Sequence, residues 1–172
     1  MKDSIAWSKA ILRSTPQRWL EMFEAFPREL LTLVPLEKEW SAVECLIHMI
    51  DNEKFVFAVR LNIFAEGKDA FPAFPDDEGT KIDPASSLID LAREFAQLRE
   101  ANLNLIDQMT PDMFPREARH STLGRVTLAQ LISEVAAHDL DHTIQAERAM
   151  MQTFIEDCGP WHIYFESNKM KK

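Results

Sequence analysis

The chain has 172 residues, 46% hydrophobic and 27% charged, with a net charge of -9. That balance suits a globular domain spanning residues 1–172 and argues against a disordered chain. It also argues against a nucleic-acid partner, because neutralising phosphates takes a basic surface. No run reaches the ~18 apolar residues of a membrane span, so no membrane partner is expected either.

Only four glycines and one tyrosine, beside many Leu, Ala and Glu, point to an all-α fold. Cys45 and Cys158 make no disulfide framework and no CxxC pair. The opening "MKDSIAWSKAILRSTPQRW" has no long apolar centre, so no secretory leader is read and the cytoplasm is the expected location.

In chain order, "STPQRW" carries start signals for a first helix: Ser14 or Thr15 as cap and Pro16 at the first position, with an end near Ala25. Upstream, "SIAWSKAIL" suits a further helical segment, and Pro27 and Pro35 break the chain downstream. The second helix opens at "WSAVE", where Ser41 and Glu44 form a capping box, and runs to about Ala65. The loop "EGKDAFPAFPDDEGTKID" follows, rich in proline and glycine. Asp83 and Pro84 then begin a third helix that ends near Met109.

The stretch "TPDMFPREARHSTLGRV" reads as irregular. Thr127 and Gln130 form a second capping box and open a fourth helix to about Phe154. The tail has room for a short helix. Four helices of roughly 24 residues, each about 36 Å long, are most economically packed as a four-helix bundle. The long loop reaches farther than one helix length, which permits helices two and three to run parallel without requiring it.

The fourth helix carries "VAAHDLDHTIQ", Val135–Gln145. On a helical wheel Leu128, Leu131, Ile132, Val135, Ala146, Ala149 and Met150 form one apolar face. His138 and His142 lie along its border, four residues apart, so their rings can converge on one ion. The intervening Asp-Leu-Asp lacks the glutamate base of an HExxH motif. Asp139 falls within the apolar face and therefore needs a partner, either an imidazole of the site or an arginine.

In the second helix the dense apolar face is Val43, Leu46, Ile50, Phe57, Leu61 and Phe64. His48 points elsewhere, on a line with Glu44, Asn52, Phe55, Val59 and Asn62. Spacing alone leaves it open between a ligand and a solvent-facing residue. His120 and His162 read as surface residues. Cys45, one turn before His48, reads first as a small buried hydrophobe.

Two stretches resemble the DinB-like family: "WSAVECLIHMIDNE" (Trp40–Glu53) and "LGRVTLAQLISEVAAHDLDHTIQ" (Leu123–Gln145). Together they cover about a quarter of the chain, in the family's order and spacing. The resemblance implies a four-helix bundle with up-down-down-up topology and a divalent metal held by His48, His138 and His142. It also places His48, Asn52 and Phe55 along a pocket.

Characterised members of that family look like thiol-dependent transferases or metal-dependent hydrolases. A metal-dependent enzyme acting on a small molecule, with or without a low-molecular-weight thiol, is the expected function. The alternative is a non-catalytic bundle that binds a small molecule or a metal. Three neutral imidazoles suit zinc or nickel and leave open coordination positions. Asp139 and Glu44 are the candidates to orient the ligands, and pairing into a homodimer is a further expectation.

Overall fold

The computed structural model describes residues 3–72 and 87–170. Helix α1 runs Ser4–Ala25, and the Asp3 carboxylate accepts from the Ala6 N–H at 3.0 Å. The segment "SIAWSKAIL" is thus the start of the first helix itself, and Pro16 lies inside it rather than at its opening. A proline within a helix lacks the N–H that would bond the carbonyl four residues back. That carbonyl, Leu12, accepts instead from Arg99 Nη1 at 3.2 Å, a partner in another helix. Ser14 and Thr15 cap nothing; both hydroxyls donate to the Ile11 carbonyl, at 3.0 and 2.9 Å.

A short α2, Arg28–Leu31, starts after Pro27. Helix α3, Ala42–Asp51, opens on the expected capping box. Ser41 Oγ accepts from the Glu44 N–H at 3.3 Å, while Glu44 Oε2 accepts from the Ser41 N–H at 2.7 Å. The helix continues through a π-helical stretch, Asn52–Phe57, into α4, Ala58–Ala65.

Helix α5 spans Leu88–Asp107, ending two residues before Met109. Asp83 and Pro84, the expected start of that helix, lie outside the described residues. The stretch read as irregular holds a hairpin, β1 (Glu117–His120) and β2 (Gly124–Thr127), antiparallel with Glu117 opposite Thr127. Its strands carry no apolar alternation, since Ala118 is the only buried residue among their eight. Backbone pairing organises them: Arg119 N–H donates to Asp69 O at 2.7 Å, and Phe71 N–H to Arg119 O at 3.0 Å. Helix α6, Leu128–Asp157, starts on the Thr127–Gln130 capping box and runs three residues past Phe154.

Cross-helix contacts fix the polarity of the bundle. Ser8 meets Ser133 and Arg18 meets Glu147, so α1 and α6 run parallel. On α5, Asp107 pairs with Lys9 and Arg13 of α1, whereas the start of α5 packs with Trp19 and Phe23, an antiparallel arrangement. His48 lies beside His142 and Asn52 beside His138, so α3 opposes α6. The topology is up-down-down-up, with the second and third long helices parallel. It is a four-helix bundle.

The core divides into two apolar halves. One gathers Trp19, Phe23, Leu46, Ile50, Phe95 and Met150; the other gathers Leu12, Phe57, Phe64, Ile106, Leu131 and Val135. Between them sits a buried charged layer. Arg99 Nη1 and Nη2 donate to both Asp139 oxygens at 2.5 and 2.8 Å, and Nη2 also donates to Glu53 Oε1 at 2.7 Å. Asn102 Nδ2 donates to Glu53 Oε2 at 2.8 Å. Burial pulls the guanidinium pKa down, but the Asp139 and Glu53 carboxylates more than reverse this and raise it. The cation is therefore permanent, and two carboxylates and a backbone carbonyl hold it.

Candidate metal centre

Adjacent residues of two helices face opposite ways around this layer. Glu53 and Asp139 turn inward to Arg99, while their neighbours Asn52 and His138 turn towards a second cluster. His138 and His142, one turn apart on α6, meet His48 from α3. One ligand atom from each of the three rings can be chosen so that all lie within 4.8 Å of one another. His48 Nε2 and His138 Nε2 face each other at 3.1 Å.

The neighbours of the rings set their tautomers. His142 Nδ1 lies 2.8 Å from Gln145 Oε1 and donates to it, which leaves the His142 Nε2 lone pair free. Asn52 lies 3.5 Å from His138 Nδ1, and its amide can turn either face to the ring. The Trp40 indole stacks on His142 at 5.8 Å and 15° and tilts against His48 at 5.1 Å. Burial, then the neighbouring His142 and His48, pushes His138 down to about 3. Burial and His142 also lower His48. Both rings are therefore neutral at physiological pH, the form that ligates a metal.

The donor set fits a divalent ion. Bonds of ~2.0–2.1 Å in tetrahedral array separate ligand nitrogens by about 3.3 Å, close to the 3.1 Å His48–His138 spacing, and the third ring offers a nitrogen within 4.8 Å of the other two. Two imidazole nitrogens held face to face need a proton or a cation between them.

Other expected site residues are engaged elsewhere. Both Asp139 oxygens accept from Arg99, so the arginine alternative is the one realised; Gln145 and Asn52 are the side chains beside the histidine rings. Glu44 is held by the Ser41 cap. Phe55 does not line the cluster. It is 56% exposed, because the π-helical stretch turns through fewer degrees per residue and carries it off the His48 line. Cys45 is fully buried; burial and the Glu44 charge push its thiol up to about 12, where it is a poor ligand. His162 is a surface residue beside Glu166, whereas His120 is half-buried against Arg60. Wheel reasoning misses Trp40, which precedes the cap and belongs to no helical face.

Fold and cluster together define a four-helix bundle with a three-histidine group that fits a metal site. The chain belongs to the DinB superfamily, whose model matches residues 11–146. It is similar in structure to YfiT from Bacillus subtilis, described as a probable metal-dependent hydrolase with an unusual four-helix bundle topology. The TM-score is 0.71 at 15% identity, covering 89% of each chain. A second similar structure is the DinB-like protein YjoA from Bacillus subtilis. It gives a TM-score of 0.60 at 18% identity, covering 86% of this chain and 92% of the other. No curated protein sequence matches the chain. Among the described residues no helix is long and apolar enough to cross a membrane.

Proposed function

We propose that the protein is a metal-dependent hydrolase of a small-molecule substrate, with one divalent ion, zinc or nickel, held by His48, His138 and His142. The observation that carries this reading is the 3.1 Å approach of two Nε2 atoms from different helices, with the third ring alongside. His48, His138 and His142 would hold such an ion through neutral nitrogens, which would leave its full charge to supply Lewis-acid activation of water near neutral pH.

The chain's own residues prepare for that. Burial keeps the His48 and His138 rings deprotonated, so ligands need not first lose protons. Gln145 holds the Nδ1 proton of His142 and so turns the other nitrogen towards the cluster. Trp40 lies against two of the rings and limits water on that side. The likeness to YfiT supports hydrolysis over the other activities that the same ligand set would serve.

The test is elemental analysis of protein purified without an affinity tag, then a screen of the metal-loaded protein on ester, amide and phosphoester substrates. A parallel arm pairs a low-molecular-weight thiol with an electrophile. Metal-dependent hydrolysis that disappears in His138→Ala is expected. Turnover only in the thiol arm would replace hydrolysis by group transfer, and bound metal without any turnover would leave a binding protein.

A further inference from the structure

Helix α6 buries one flank in the core and sets another against His48, yet its flank beside α1 carries large apolar side chains into solvent. Leu140 is 37% exposed, and Ile144 and Phe154 are each 59% exposed. With Glu147 and Met151 they form the series 140, 144, 147, 151 and 154, spaced four, three, four and three residues apart. That is the ~3.5-residue period of a seam that packs against another helix, and it confines the series to one narrow stripe. A flank that met only water would be polar.

The stripe borders a groove of about 780 Å3 between α1 and α6, with Met22 and Phe26 on one wall and Met151 and Phe154 on the other. Helix α1 repeats the layout. Trp7 and Phe26, 59% and 43% exposed, lie towards its two ends, and Arg18 between them pairs with Glu147 at 3.3 Å. Glu21, the other charged side chain along the groove, accepts from Gln17 at 2.9 Å.

This face is its own complement. Leu140 and Phe154 lie seven positions to either side of Glu147, and Ile144 and Met151 lie three and four positions away. Turned end for end, the stripe sets apolar residues against apolar residues and the charged pair against a charged pair. Such self-matching is what a twofold interface between identical chains requires. The face runs about 29 Å from Trp7 to Phe26 and is two helices, ~20 Å, wide, so it covers roughly 600 Å2. A stable interface takes about 600–1,000 Å2 from each partner.

We propose that the α1–α6 face joins two copies of the chain in a twofold dimer, with α6 antiparallel to its counterpart. Leu140 meets the partner's Phe154, Ile144 meets the partner's Met151, and Arg18 faces the partner's Glu147. Near the axis the four charges then alternate in sign. His138 and His142 lie roughly half a turn around α6 from the stripe, so the histidine cluster stays open in the pair. The dimer stands independently of the metal-site reading.

Sedimentation equilibrium of the full natural chain, without added metal, reads the association directly. A dimer is expected. Ile144→Asp puts a carboxylate at an exposed position, so it should keep its circular dichroism while weakening association by about 30-fold or more, the mark of a central contact. Phe154→Asp, on the other arm of the stripe, is the second variant and should act in the same direction. Arg18→Glu and Glu147→Arg should each associate poorly alone, because like charges then meet across the axis. Their equimolar mixture should recover the dimer, since each chain then faces its opposite. A monomeric natural chain overturns the proposal. So does a dimer that survives both aspartate variants, which would put the contact on another face. A mixture no more associated than its two parts also overturns it, because Arg18 and Glu147 would then pair only within one chain.

Discussion

The charged layer around Arg99 and the histidine cluster are neighbours built by the same helices, and they are opposites in chemistry. Asn52 and Glu53, and likewise His138 and Asp139, are consecutive residues that send one side chain to each. In the layer, the guanidinium Nη atoms are bonded and every carboxylate oxygen has a donor from the protein itself. In the cluster, imidazole nitrogens from two helices converge at 3.1 Å, and among the described residues no charged side chain is bonded to them. Buried charges that pair with one another within the chain hold the fold, whereas imidazoles gathered at one point have the donor set that a divalent ion takes.

That contrast is most sharply broken on α6 by mutating residues 138 and 139 in turn. Asp139→Ala leaves Arg99 with an incomplete set of partners in an apolar interior and is expected to cost about 3–5 kcal/mol of folding stability, read by urea denaturation. His138→Ala should leave the midpoint of the metal-free protein nearly unchanged. It should weaken metal binding by more than about 100-fold, since even loss of a residue that supports a ligand costs ~10–100-fold. If both variants lost stability alike, the division between structural layer and site would be wrong.

Gln145→Leu gives a smaller effect of the same kind. Without its oxygen the Nδ1–H of His142 loses its acceptor, and metal affinity should fall by about 10–100-fold, measured by competition with a chelating dye, with stability little changed.

How far this contrast was legible in the sequence depends on how local its causes are. The two capping boxes are readable because each is complete within four residues, and the apolar faces of α3–α4 and α6 are buried as the wheel places them. Pro16 misleads, because what tolerates it is Arg99, 87 residues away. Asp139 is correctly seen to need a partner, but choosing between an imidazole and a guanidinium requires knowing where α5 packs. His48 stays ambiguous on its own helix, since only the antiparallel approach of α6 turns its line inward. The hairpin is invisible because its strands are short and mostly exposed, so pairing rather than burial organises them.

Two gentler tests follow. Thr127→Ala removes the cap of α6, far from both regions, and should cost about 1 kcal/mol by thermal denaturation without touching metal affinity. The pH effect is the mildest and most specific. His138 has a folded pKa of about 3 against an ordinary 6.5, so the unfolded chain binds a proton that the folded one refuses. Stability of the metal-free protein should therefore fall as pH drops from about 6.5 towards 3, and His138→Ala should flatten part of that slope in denaturation midpoints taken across the window.

We propose that His48 of α3 completes a metal site begun by His138 and His142 on α6. Calorimetric titration of the metal-free protein with zinc tests it directly, comparing the natural chain with His48→Ala. One ion per chain is expected, with a variant that keeps its helical circular dichroism while binding more than about 100-fold more weakly. Equal stoichiometry and affinity in the two proteins would contradict it.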